Sequence, residues 1–204
     1  AIFCRPTIGP LVGGLGPVRM RIVGGKYRNR RLHPPAEMDA RPTTDFAKEG
    51  LFNVLQHRVP LEGIRVLDLF AGTGSISLEF LSRGAEEVIS VDQDRRLFDF
   101  MQRTGRELGE NSWRMVKSDV FTFLNSHRGN YDIVFADPPF HMEELQRIPT
   151  LVLQAGLLGS DGILIVEHHE KVKLNTAAGY RFTRTYGTIH FSFFGPVITE
   201  PTIP

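Results

Sequence analysis

Cysteine is almost missing: Cys4 is the only one in 204 residues. An internal disulfide and a cysteine-based metal cluster are thereby excluded, and a reducing, cytoplasmic setting is expected. No long apolar span and no convincing signal peptide is visible, so a membrane partner is not expected. Tryptophan occurs once against 15 phenylalanines, which points to a core packed largely with Phe rings. Net charge is low as well, at +1, so bulk charge identifies no partner. What is locally absent is acid. Between positions 19 and 31 stand six basic residues (Arg19, Arg21, Lys26, Arg28, Arg30, Arg31) with no Asp or Glu among them. An unbroken positive run of this kind suits phosphate contacts.

The chain is arranged around residues 64–94, IRVLDLFAGTGSISLEFLSRGAEEVISVDQD. Ile64 to Phe70 is an apolar run interrupted only by Asp68, as in a strand buried on both faces. Phe70, Ala71, Gly72, Thr73 and Gly74 then form a strand-to-helix turn whose glycines permit a tight bend and a close ligand approach. Ser75 opens a helix with Ile76, Leu78, Phe80 and Leu81 on its apolar side, and Gly84 closes it. Val88 to Val91 is a second strand ending in Asp92, with Gln93 after it. The unit is β-α-β, and its terminal acid is placed to hold a ribose. A dinucleotide fingerprint would need glycine at position 77, where Ser77 stands. That weakens NAD or FAD without excluding them, and the D-x-F-x-G-x-G strand end (68–74) resembles an S-adenosylmethionine site, the cofactor expected here, with Asp68 facing its cationic amino group or sulfonium.

The remainder of the chain alternates in the same way. Arg41 to Thr44 leads into a helix capped by Thr43 or Thr44, with Ala47, Leu51, Val54 and Leu55 on one side. Gly50 interrupts its propensity, and Lys48 and Glu49 are either surface groups or neighbours of the cofactor. A helix through Leu97, Phe98 and Met101 ends near Gly109, and Trp113 to Val116 is a strand delivering Asp119 and Val120 to the ligand edge. Tyr131 to Phe135 is another strand. A helix over 142–155, a strand over 162–166 and a hairpin turning at Gly187 complete a mixed sheet. Glu167, His168, His169 and Glu170 leave the 162–166 strand. Alternating directions along a strand and an unmatched spacing argue against a metal there.

Asp137, Pro138, Pro139 and Phe140 follow the 131–135 strand directly. Paired prolines fix the backbone and remove two N–H donors, leaving carbonyl acceptors beside the Asp137 carboxylate and the Phe140 ring. Such a set grips a planar group bearing an exocyclic amine. Two acceptors would aim the amine's lone pair at a methyl and stabilise the positive charge that develops on nitrogen.

The stretches RIVGGKYRNRRL (21–32), RPTTDFAKEGLFNVL (41–55), VLDLFAGTGSISLEFLSRGA (66–85), VDQD (91–94) and FADPPF (135–140) together resemble the RsmD family. These bacterial enzymes methylate the N2 amine of one guanine in 16S ribosomal RNA of the small subunit. The resemblance implies a seven-stranded, Rossmann-like class I methyltransferase sheet, mostly parallel with a C-terminal antiparallel strand and helices on both faces. It implies S-adenosylmethionine as cofactor, with Gly72 and Gly74 at the methionyl part, Asp92 on the ribose and Asp119 on the adenine amine. Asp137 to Phe140 would receive the guanine, and Lys26, Arg28, Arg30, Arg31 and Arg41 would contact RNA. The expected layout is a tail over 1–19, a basic RNA-facing extension over 20–57, the methyltransferase domain over 58–195 and a tail over 196–204, in a monomer. Adenine-N6 methylation of DNA or RNA uses the same amine grip. A non-catalytic RNA-binding assembly factor is the remaining alternative.

Overall fold

The computed structural model describes residues 20–35, 43–139 and 141–196. Arg41, Phe140 and the expected tails, apart from Pro196, lie outside them. The first described segment is a small hairpin: β1 (Met20–Arg21) and β2 (Arg31–Leu32) pair antiparallel, Met20 opposite Leu32. Helix α1 (Asp45–Gln56) follows, its first turn capped by the Thr44 side chain, which accepts from the Ala47 N–H. Then come β3 (Arg65–Leu69), α2 (Ser75–Ser82), β4 (Glu87–Asp92), α3 (Arg95–Leu108) and β5 (Trp113–Lys117). The second half holds α4 (Val120–Ser126), β6 (Tyr131–Ala136), α5 (Ile148–Gln154), β7 (Leu158–His169), β8 (Tyr180–Tyr186) and β9 (Ile189–Phe194).

Seven of these strands form one sheet in the order β5-β4-β3-β6-β7-β9-β8. Only β9 runs against its neighbours, as the final hairpin had suggested. Alternate side chains divide the core in two. Val66, Val88, Ile133, Phe135 and Ile165 pack with α1, α2 and α3 on one face. Leu67, Leu69, Val91, Val134 and Val166 pack with α4 and α5 on the other. The chain leaves β3 toward β4 on one side and enters β6 on the other, so the sheet's switch point lies between β3 and β6. Ligands of open α/β sheets bind beyond the strand C-termini at such a point.

Two elements differ from expectation. The single helix over 142–155 is a 3-10 turn (Glu143–Arg147) followed by α5. Pro149 cannot donate to the carbonyl four residues earlier, but it fits the first turn of a new helix. Strand β7 is longer than residues 162–166, because a register shift opposite Tyr131 and Ile133 lets it begin at Leu158. A Cβ on Gly162 would lie 2.9 Å from the Tyr131 carbonyl oxygen, so glycine permits that irregular pairing.

The hairpin is not a separate appendage. Met20, Ile22 and Leu32 are part of the core. Lys48, left above as a surface or cofactor group, is buried with 1% exposure. Its ammonium reaches the Arg21 carbonyl, Asp45 at 3.3 Å and the fully buried Glu79 at 3.4 Å. Glu79 also accepts from the Val23 N–H at 2.7 Å and pairs with Arg83. This network ties hairpin, α1 and α2 together.

Candidate active site

Strand β3 ends at Leu69, and Phe70 takes a left-handed φ of 61°, uncommon for a residue with a side chain. The bend it makes is fastened at several points. Ala71 donates to the Val91 carbonyl at 3.0 Å, and Gly72 donates to Asp92 Oδ2 at 2.7 Å. The two glycines have different reasons to be glycine. Both have positive φ, but a Cβ on Gly74 would strike the Trp113 ring at 2.5 Å, whereas one on Gly72 would meet only the Phe70 carbonyl at 3.9 Å. Gly74 thus closes the turn onto the core, and Gly72 leaves its side open. Ser75 Oγ, in the first turn of α2, is the one buried side-chain polar atom without a partner among the described residues. An open glycine and an orphaned hydroxyl at a helix N-terminus fit a ligand resting on this turn.

Asp92 is partly committed to the scaffold. Its Oδ1 accepts from the Asp94 N–H at 2.8 Å while Oδ2 holds Gly72. Each carboxylate oxygen keeps a further lone pair for a ribose hydroxyl. Burial raises its pKa, and the two backbone N–H groups work against that rise. Asp119 caps α4, with Oδ1 taking the Thr122 N–H at 2.8 Å and the Thr122 hydroxyl at 3.1 Å. Asp119 and Gln93 are exposed, and the Val120 side chain lies in the core. Phe70 meets Phe121 edge to face at 6.4 Å. Thr73 is turned into the core, its hydroxyl on Met20 Sδ at 3.3 Å.

Asp68 is not at the surface of the crevice. It is 1% exposed and accepts from Ser77 Oγ at 2.5 Å. Ser77 also meets Ser90 Oγ at 2.6 Å, and Trp113 Nε1 donates to Ser90 at 2.7 Å. Serine at position 77, which had counted against a dinucleotide, is a working part of this buried polar chain.

Asp137 begins its motif fastened to β3, its N–H on the Leu69 carbonyl at 3.3 Å. Of the acceptors expected there, the Pro139 carbonyl is occupied by the Met142 N–H at 2.9 Å. Among the described residues the Asp137 carboxylate and the Pro138 carbonyl have no partner, and the Pro139 carbonyl keeps one further lone pair for a substrate amine. Beside them stands a residue that sequence reasoning had not assigned. Ala136 pairs with Val166, so Glu167 stands next to Asp137. Glu167 is buried and accepts from Thr43 Oγ1 at 2.9 Å. Its neighbour His168 is spent on Ser192 Oγ at 2.8 Å and on the His169 carbonyl at 3.0 Å.

Three carboxyls therefore crowd the C-terminal ends of β3, β6 and β7. Burial pushes Asp68 up to about 7, eased by Ser77 and aggravated by Asp92. Burial, then Thr43 in the opposite sense, then Asp68 bring Glu167 to about 7. Asp137 is raised well above the usual carboxylate range by burial and by the charges of Glu167 and Asp68. A cationic ligand would relieve this crowding.

The basic run is mostly elsewhere. Lys26 pairs with Glu110 at 2.8 Å, and its N–H bonds to the Ser82 carbonyl. Ser82 ends α2 and Glu110 lies just past α3, roughly 12 Å and 21 Å of helix from the crevice. Arg28, Arg30 and Arg31 are exposed.

A seven-stranded sheet of this order, with a glycine turn and an acid-Pro-Pro motif at its switch point, is the class I methyltransferase fold. The family model described as conserved hypothetical protein 95 matches residues 20–195, and the chain belongs to that family, the RsmD family. Ribosomal RNA small subunit methyltransferase D of Escherichia coli K12 is 34% identical over 152 residues, 74% of this chain and 76% of the relative. The protein of the same name from Haemophilus influenzae is 28% identical, covering 86% of this chain and 93% of its own. Among solved structures, a hypothetical protein of Thermus thermophilus superposes with a TM-score of 0.76 at 30% identity, over 86% of this chain and 99% of that one.

Proposed function

We propose that the protein transfers a methyl group from S-adenosylmethionine to the exocyclic N2 amine of a guanine in 16S small-subunit ribosomal RNA. The observation that carries this reading is the pair of acceptors, Asp137 and Pro138, without a partner among the described residues and fastened to the end of β3, where the open Gly72 turn begins at the sheet's switch point. The names of the curated relatives support ribosomal RNA of the small subunit as the substrate.

When bound, S-adenosylmethionine supplies an electrophilic methyl on a cationic sulfur. Gly72, Gly74 and the Ser75 hydroxyl would hold the methionyl part, Asp92 the ribose and Asp119 the adenine amine. Asp137 and the Pro138 carbonyl accept the two N–H groups of the guanine amine, turning its lone pair toward the methyl. No base is needed before the bond forms. Asp137, with its raised proton affinity, is suited to take the proton that the methylated amine then sheds.

The test is methylation of small-subunit particles with labelled cofactor, followed by nucleoside analysis. Wild type should yield N2-methylguanosine. Asp137→Ala should cut single-turnover transfer by about 10²-fold or more while leaving cofactor affinity nearly unchanged. Label in N6-methyladenosine, or near-normal transfer by the variant, would overturn the assignment.

A further inference from the structure

A cavity of about 530 Å³ lies away from the crevice, between α1 and β8. Its size falls within the range of small-ligand pockets. At its mouth Phe46, 66% exposed, stands edge to face with Tyr186, ring centroids 5.8 Å apart. Phe46 is the one large hydrophobic side chain so exposed among the described residues. Its neighbour Tyr186 can approach α1 only because position 50 is glycine: a Cβ there would lie 2.1 Å from the Tyr186 ring. This accounts for a glycine in mid-helix that costs about 1 kcal/mol of propensity.

Toward Phe182 the lining becomes cationic. Residues 182, 184 and 186 share one face of β8 by strand alternation. The guanidinium carbons of Arg58 and Arg184 stand 4.3 Å and 5.0 Å from the Phe182 ring centroid. Neither arginine pairs with a carboxylate among the described residues. Glu49, the one acid lining the cavity, faces Arg21 at 3.8 Å.

Tyr186 lies at the catalytic end of the sheet. Tyr186 pairs with Ile189, and Ile189 with His169 at the end of β7, one strand from β6 and Asp137. Three strand spacings amount to about 14 Å. That is a reach of only a few nucleotides, even at the stacked rise of about 3.4 Å each.

We propose that this cavity binds a short single-stranded segment flanking the methylated base, one base stacking on Phe46 and Tyr186 and two neighbouring phosphates lying on Arg58 and Arg184. The proposal rests on the RNA-methyltransferase reading above. An aromatic pair with two uncompensated guanidiniums is complementary to a base and two neighbouring phosphates.

Equilibrium binding to 16S RNA transcript and to small-subunit particles tests it, across a salt series. Phe46→Ala should weaken RNA binding about 5- to 150-fold with an unchanged salt slope, and Phe46→Tyr should restore it. The double variant Arg58→Ala/Arg184→Ala should weaken binding and flatten the slope by about 1.4, for two lost single-strand phosphate contacts. Cofactor affinity and kcat at saturating RNA should stay at wild-type values in all of them. Unchanged RNA affinity in both Phe46→Ala and the double variant overturns the proposal. Weakened binding to particles but not to transcript also overturns it, assigning the cavity to a ribosomal protein. Wild-type protein that binds RNA but methylates no guanine refutes the proposed function, while the binding comparison still decides the cavity.

Discussion

Replacing Asp68 by asparagine removes one of three neighbouring buried protons. Asp68 accepts from Ser77, lies close to Asp92 and Asp137, and titrates at about 7 because it is buried. In the unfolded chain an aspartate ionises near about 3.9. The folded state thus holds the proton more tightly. The stability this contributes is full below the unfolded value and is lost as pH rises through the folded one. For a group moved from about 3.9 to about 7, linkage removes roughly 2.5 kcal/mol between pH 5 and pH 8. At about 2–4 °C per kcal/mol for a chain of this size, Tm falls by about 5–10 °C from this source. Asparagine keeps an oxygen for Ser77 but has no such proton, so it lacks this slope. His127 and His168, which burial holds below the usual histidine range, favour the folded state as pH rises. They are common to both proteins and cancel in the comparison, whereas Asp137 and Glu167, each raised by burial and in part by the Asp68 charge, titrate lower in the variant and add to the difference in the same sense. Thermal denaturation followed by circular dichroism, on ligand-free wild type and Asp68→Asn from pH 5 to 8, gives the answer. Wild type should lose about 5–10 °C relative to the variant across that window. Parallel profiles would refute the buried, protonated carboxyl.

Three further outcomes are expected. Asp92→Ala should weaken S-adenosylmethionine binding by at least about 10- to 150-fold, since it removes a ribose acceptor and also releases Gly72; calorimetry showing unchanged affinity in a folded variant would move the ribose elsewhere. S-adenosylmethionine binding near pH 7 should release protons, because a cation beside Asp68, Asp137 and Glu167 favours their ionised forms; a binding enthalpy independent of buffer ionisation would contradict this. Glu79→Ala leaves Lys48 buried without its interior partner, at a cost of about 3–5 kcal/mol and a Tm lower by about 6–20 °C; a thermal scan within a degree or so of wild type would mean that Asp45 alone suffices.

Much of the site was legible before the fold was known. The β3 turn, Asp92 and the Asp137 motif stand where apolar runs end, and in a parallel sheet those ends share one edge. Less of the hydrogen bonding was legible. Pro139 had been counted among the acceptors, and one of its carbonyl's two lone pairs is taken by Met142, a partner that depends on how the chain leaves the motif. Lys48 had two readings on its helix and satisfied neither, because its carboxylate partner Glu79 comes from an element 31 positions further on.

The sequence by itself determined the order of strands and helices, the turn that needs glycine and the acid-Pro-Pro motif, since periodicity and backbone restriction are short-range properties. Only the tertiary structure placed Glu167 beside Asp137, turned Lys26 toward Glu110 at the far end of the helices, and joined Phe46 to Tyr186 across 140 residues of chain. Each of those depends on strand register or on which helix face meets which strand. Register and packing are set by the burial of the whole core, and no local stretch of sequence carries that information.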